Sequence, residues 1–358
     1  MVLAIIAALI KSLFILTVGL TIATVLTWAE RKESALMQDR IGANRAAILG
    51  IRAIGLIHII ADAVKMITKE DFIPPAGNRF IHSLAPVITF FSSLAVLAVI
   101  PFGSSLNIAG FEFPLVVANV DIGLLFVFAF GSMAIYGTVL GGWSSNNKLS
   151  LLGGMRAAAQ LIGYEIALGV SIIGLIMVYG TLNLCEIVEG QGALMWGFLP
   201  KWGIFTQPLG FILFFAAAYT ETKRDPTNLP EGESEIVGFW TEYSSMKFGL
   251  FFFAEFVEVV FVGMLMTTLF FGGWQFPWLY ADGFHFPWGW DWSIPQVWVV
   301  LIQVSTFMLK VVFFCWLQLL IRWTFPRFRY DQLMRLGWKG LLPLALLNIV
   351  ITAVFVLA

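Results

Sequence analysis

Four ionisable side chains stand inside stretches of sequence that are otherwise apolar: Glu165, Glu255, Glu258 and Lys310. A charge at the centre of an apolar helix costs about 2.5–3.5 kcal/mol, so such residues normally face a protein interior or a wet cavity. Glu255 and Glu258 are three apart and point the same way, whereas Gln303 and Lys310 are two turns apart on another helix. In a third helix Arg156, Gln160 and Tyr164 line one side, with Glu165 beside them. Two readings are open. Carboxylates placed close together at low dielectric can exchange protons, which makes a proton path. The alternative is buried ion pairing that sets helix register, for instance Lys310 with one of these glutamates. The spread over three helices favours the proton path, and spacing alone leaves the pairs undecided.

A second group of charges lies between the apolar runs. The stretch ETKRDPTNLPEGESEIVGFWTEY (221–243) packs Glu221, Asp225, Glu231, Glu233, Glu235 and Glu242 around Pro226, Pro230 and Gly232. Glu30, Arg31 and Lys32 follow directly after the first apolar run. Acidic residues do little to orient a membrane chain, so this cluster is not there for topology. It suits a partner interface or a polar pocket for a head group, with a plain solvated loop as the alternative. Metal binding is the weaker reading, because glutamates without histidine favour hard ions and no EF-hand spacing is present. Cys185 and Cys315 lie far apart without ligand spacing, and His58, His82 and His285 are scattered. A disulfide framework, an iron–sulfur site or paired haem ligands carried by this chain are not expected.

The elements that must hold these charges are transmembrane helices. Of the 358 residues 59% are hydrophobic and 12% charged, with a mean hydropathy of +0.88, which leaves too little charge to cover a soluble surface. The expected fold is an all-α polytopic membrane protein forming a single domain over 1–358. Its spans are expected at about 2–28, 80–101, 121–143, 157–180, 206–221, 247–272, 295–322 and 338–357, each near the 20 residues a bilayer core requires. The N-terminal run is longer than a signal-peptide core and lacks a basic leader, so it reads as a retained first helix. The odd-numbered loops with their span ends carry 18 of the 21 basic residues. The positive-inside rule therefore places those loops, including the acidic one at 221–246, in the cytoplasm and both termini outside. In the first such loop, residues 45–69 are expected to form an amphipathic helix lying in the interface plane. His58, Asp62, Lys65 and Lys69 are set on one face, opposite Ile54, Ile57, Ala61 and Val64. The Trp- and Phe-rich outer loop at 274–292 reads as an aromatic belt, with a binding surface as the alternative.

Five segments of this sequence, AERKESALMQDRIGANRA, ADAVKMITKED, GGWSSNNKLSLLGGMRAAAQLIGYEI, LPEGESEIVGFWTEYSSMKFGLFFFAE and RFRYDQLMRLGWKGLLPLALLNI, resemble the signature segments of the H-subunit family of respiratory complex I. The similarity runs from the first span to the last, in order. It implies eight transmembrane helices, an amphipathic helix in the first cytoplasmic loop and no redox centre on this chain. FMN and iron–sulfur clusters are then expected on partner subunits of a bacterial inner-membrane complex, with quinone as substrate. Quinone is expected to enter from the lipid between the first and sixth spans and the amphipathic helix. The resemblance assigns Glu30, Arg31, Arg40, Asp62, Lys65, Glu231, Glu233 and Glu242 to the quinone cavity and its entrance. Glu165, Glu221, Glu235, Glu255 and Glu258 fall to the proton path. Arg156, Arg224, Lys310, Arg322, Arg327, Arg329 and Asp331 fall to structural or interface roles.

The sequence departs from the family pattern in places. Ala43 stands where a proline is usual, His58-Ile59 where Gln-Pro is usual, Asn228 where an aspartate is usual and Trp240 where a histidine is usual. Asn228 removes one proton carrier from the acidic loop, and His58 adds a titratable group near the entrance. Related machines, a membrane-bound hydrogenase or an F420H2- or ferredoxin-driven dehydrogenase, use an equivalent subunit and remain the alternative. A free-standing transporter predicts internal repeats with broken helices, and no convincing repeat is present.

Overall fold

In the computed structural model, which describes residues 2–108, 111–195, 197–232, 236, 238–280 and 282–357, the apolar runs are helices and most of them overhang the bilayer. Helix α1 (Val2–Met37) has 36 residues, about 54 Å at 1.5 Å per residue. That exceeds a hydrocarbon core of about 30 Å, so its far end, with Glu30 and Arg31, projects beyond the apolar layer. A short helix α2 (Ile57–Thr68) precedes α3 (Arg79–Ala95), and a hairpin of β1 (Ser105–Ile108) and β2 (Phe111–Pro114) leads to α4 (Gly123–Ser144). Helix α5 (Lys148–Tyr179) starts before the expected 157, because the Asn147 side chain accepts from the Leu149 N–H and caps it there. After α6 (Leu184–Gln191) and a small β3 (Leu194–Met195)–β4 (Leu199–Pro200) pair come α7 (Gly203–Thr206), α8 (Pro208–Glu221) and α9 (Ser245–Phe270). A three-stranded antiparallel sheet, β5 (Leu279–Tyr280), β6 (Gly283–His285) and β7 (Asp291–Ser293), fills the next loop. The chain closes with α10 (Gln296–Thr324), α11 (Tyr330–Arg335), a π-helical turn (Leu336–Leu341) and α12 (Leu342–Leu357).

Among the described residues seven helices are long and apolar enough to cross a membrane, and α8 is a shorter apolar helix of 14 residues. The expected count of eight equal spans is corrected to seven long helices and one short one. The physical reason sits at Gln207, whose non-helical backbone separates α7 from α8, with Pro208 opening the next helix. The Gln207 side chain then bonds Asn348 and Thr352 of α12 at 2.9 and 2.8 Å.

The amphipathic helix is also shorter than expected. Only Ile57–Thr68 is helical, because Ile54 has φ 55° and Gly55 has φ 91°. Gly55 must be glycine, since a Cβ there would lie 2.0 Å from the Ala43 carbonyl oxygen. Asp62 turns inward to Arg31 on α1, whereas Ile60, Val64 and Ile67 form the exposed apolar stripe. Lys65 is exposed and Lys69 lies beyond the last helical residue, so the four polar residues do not share one face.

Helix α9 is apolar all round and occupies the centre, packed by α1, α3 and α10. Its end explains Lys310. The ammonium donates to the carbonyls of Phe271, Gly273 and Gln275 at 2.7, 3.1 and 2.7 Å and lies 4.6 Å from the centre of the Trp202 ring. Lys310 pairs with no glutamate; it caps the C-terminus of α9, where carbonyls lack helical partners and the helix dipole favours a cation. Lys310→Met is therefore expected to lower the melting temperature of the protein, since one buried carbonyl left unsatisfied costs about 1–3 kcal/mol. An unchanged melting temperature contradicts the capping role. At this same end Trp288, Trp290 and Trp292 are exposed beside Trp298 of α10, as an aromatic belt at a span end requires.

Candidate functional site

Two polar sites meet at the end of the bundle where α1 overhangs. The first is an open pocket of about 520 Å³, lined by Glu30, Arg31 and Ser34 of α1, by Arg40, Ala43, Asn44 and Arg45 of the following loop, and by His58 and Trp323. Its volume lies within the range of small-molecule pockets. Behind it, Glu30 is clamped by two arginines, Arg224 at 2.6 Å and Arg322 at 2.7 Å. The Arg224 side chain is only 4% exposed, and its guanidinium lies 3.8 Å from the centre of the Phe256 ring. Buried ions survive only with such complete pairing. The Arg31–Asp62 ion pair ties α1 to α2 at the rim, where solvent weakens it. His58 is engaged on both ring nitrogens: Nε2 accepts from the Ala46 N–H at 3.4 Å and Nδ1 lies 3.1 Å from the Gly55 carbonyl. It pins the loop at the pocket.

The second site is an inner cavity of about 40 Å³, enough for a few water molecules. Glu165 of α5, Glu221 at the end of α8 and Glu258 of α9 line it together with Ser92, Ser93 and Lys223. The Ser132 hydroxyl hydrogen-bonds the Glu165 carboxyl, and Ser93 donates to Glu258 at 3.3 Å. Lys223 Nζ lies 3.3 Å from Glu258 Oε1. Glu258 Oε2 is buried without a hydrogen-bond partner among the described residues. Three carboxyls and one ammonium around a small wet space can pass protons between one another.

The loop after α8 joins the two sites. It is not a solvated loop, because Thr222, Lys223, Arg224, Thr227, Asn228 and Leu229 are all at most 5% exposed. Glu231 accepts a hydrogen bond from Asn228 Nδ2 at 2.6 Å. Burial pushes the Glu231 carboxyl above its usual range, opposed by that hydrogen bond and by the positive charge of Arg322. Glu255 is buried between the sites, within electrostatic reach of Glu231, Arg224, Lys223 and Glu258. The last loop docks onto this one: Arg327 pairs with Asp225 at 2.8 Å, and the Phe328 N–H donates to the Pro226 carbonyl.

Other expected residues lie elsewhere. Lys65 is exposed on α2, outside the pocket lining. Glu242 sits apart with Asn147, which donates to it at 2.7 Å, and its carbonyl oxygen lies 3.2 Å from His82. His82 stacks on Tyr243 at 4.0 Å, and burial pushes that phenol up to about 12, so it stays neutral. Arg156 lies 5.6 Å from the centre of the Tyr330 ring, and Arg329 pairs with Asp331. Glu233 and Glu235 fall outside the described residues. Three participants were not singled out from sequence: Lys223, Arg45 and Trp323. For Lys223 the signal is a lysine placed two residues after the last residue of an apolar helix, beside acidic neighbours.

Asn228→Asp, which restores the family-typical residue, is expected to set two carboxylates within hydrogen-bond reach. They then share one proton, visible as an acidic limb moved to higher pH in the protein's activity profile. An unmoved limb contradicts this.

A family model described as NADH dehydrogenase matches residues 10–353. The first of two H subunits of NADH-quinone oxidoreductase from Cytophaga hutchinsonii is 44% identical over 344 residues, covering 96% of this chain and 94% of that relative. Subunit 8 of the NADH-quinone oxidoreductase of Rhodothermus marinus is 43% identical over 353 residues, covering 98% and 96%. The H subunit of the enzyme from Flavobacterium johnsoniae is 40% identical over 347 residues, covering 96% and 93%.

Proposed function

The chain belongs to the H-subunit family of NADH-quinone oxidoreductase, and from that premise we propose that its outer pocket receives a quinone head group and its inner cavity carries protons. The observation that carries this reading is one buried loop touching both sites: Glu221 lines the cavity, and Arg224 clamps Glu30 behind the pocket. The chain is a non-redox membrane subunit. Electrons come from an iron–sulfur cluster on a partner protein, with FMN further along the same soluble arm.

Quinone reaches the pocket from the lipid between α1, α9 and α2, whose exposed Ile60, Val64 and Ile67 face the acyl region. Two electrons and two protons convert it to quinol. The change of charge beside Glu30 and Arg31 alters the field at Arg224 and Glu255, and the cavity carboxyls answer by taking or releasing protons. Glu165, Glu221, Glu255 and Glu258 form this path, continued by Glu235 in the same loop. Glu233 belongs with the quinone side. In the bilayer α7 and α8 together make the fifth of eight crossings, α2 lies in the interface, and the loops bearing both sites face the cytoplasm. The positions of Arg156, Arg327, Arg329 and Asp331 on that same side suit docking of the soluble arm.

A photoreactive quinone analogue is expected to label 30–45 and 221–231 in the assembled enzyme. Labelling confined to other subunits overturns the reading.

A further inference from the structure

Lys223 is the one cation among the described residues that line the inner cavity. Its side chain is 5% exposed, and its backbone sits at φ 56°, a region an L-residue with a long side chain occupies at a cost. That conformation is kept where it delivers the ammonium to Glu258 Oε1 at 3.3 Å. The other oxygen of the same carboxylate is buried and unpartnered among the described residues. The charged and titratable groups around the ammonium come from three helices: Glu165 from α5, Glu221 from α8, and Glu255 and Glu258 from α9. Ser92 and Ser93 of α3 complete the wall. The next residue in the chain, Arg224, holds Glu30 at 2.6 Å.

We propose that Lys223 is a positioning residue of the proton path, the counter-ion that keeps Glu258 ionised and ties it through one peptide link to the Arg224–Glu30 clamp. The proposal rests on the reading of the cavity as a proton path. When the field at Glu30 changes, Arg224 and Lys223 shift as one rigid segment, because Thr222, Lys223 and Arg224 are all buried. Withdrawal of the ammonium then frees Glu258 to accept a proton from water in the cavity, leaving hydroxide to be neutralised by a neighbouring carboxylic acid. Its return expels the proton.

The test uses the assembled enzyme in proteoliposomes and follows proton pumping against pH. Removing a cation from beside a carboxylate lets that carboxylate bind its proton at higher pH. K223Q is therefore expected to move the acidic limb of the pumping profile upward by roughly one to three pH units, and K223R to keep the wild-type profile. A K223Q profile that is lowered evenly at every pH, or unchanged, overturns the proposal. Should K223Q fail to assemble, the K223Q/E258Q pair is expected to assemble as E258Q alone does, because both buried charges leave together. Failure of the pair shows a packing role and overturns the proposal as well. E258Q and E165Q separate the two levels: if both pump normally, the proton-path reading falls. If both stop pumping while K223Q keeps its profile, only the role of Lys223 falls.

Discussion

Assembled enzyme carrying Glu165→Gln or Glu221→Gln is expected to pump protons at least about tenfold more slowly than wild type, since a positioned proton carrier contributes on the order of 10²–10⁴-fold. The substitution keeps volume and hydrogen bonding, so the amide at 165 still meets the Ser132 hydroxyl. What it removes is the ability to bind and release a proton. Assembly is expected to hold, because replacing a buried carboxylate by a neutral amide in a cluster of like charges relieves repulsion. A pH indicator trapped in proteoliposomes reads the pumping, and a native gel reads the assembly. Wild-type pumping by either variant removes that carboxyl from the path.

Arg224→Ala has the second large effect. It leaves Glu30 with Arg322 alone and strips the cation from the face of Phe256. Breaking a buried pair by deleting one partner costs about 3–5 kcal/mol, a large share of the roughly 5–15 kcal/mol by which a typical domain is stable. The loop 222–231 is expected to leave α1, so protease cleaves it readily and quinone reduction is lost. Arg224→Lys keeps the charge but not the planar fork that both binds Glu30 and stacks on the ring, so it should fall between. A loop as resistant to protease in Arg224→Ala as in wild type contradicts the clamp.

Hydropathy located the long helices because a bilayer demands an apolar stretch of nearly fixed length. It could not show that Gln207 breaks the chain and leaves α8 with 14 residues, since that break is stabilised by Asn348 and Thr352 of a distant helix. The intramembrane charges were visible as exceptions to composition, but their partners depend on which helix ends meet. Lys310 illustrates this: its partners are three carbonyls beyond the end of α9, and backbone groups leave no mark in a sequence. The acidic loop reads equally as exposed or buried from its residues, because Arg224, Arg322 and Arg327 neutralise it from elements far apart in the chain. Glu242 was grouped with the quinone residues by sequence proximity, whereas Asn147 and His82 hold it at a separate place.

The coupling of the two sites is tested most directly by infrared difference spectra of the assembled enzyme, recorded as bound quinone is reduced. Quinone reduction is expected to produce carboxyl-stretch changes that disappear selectively in Glu165→Gln, Glu221→Gln and Glu258→Gln. Carboxyl bands that are identical in wild type and all three variants would contradict the claim that quinone chemistry changes the protonation of this cavity.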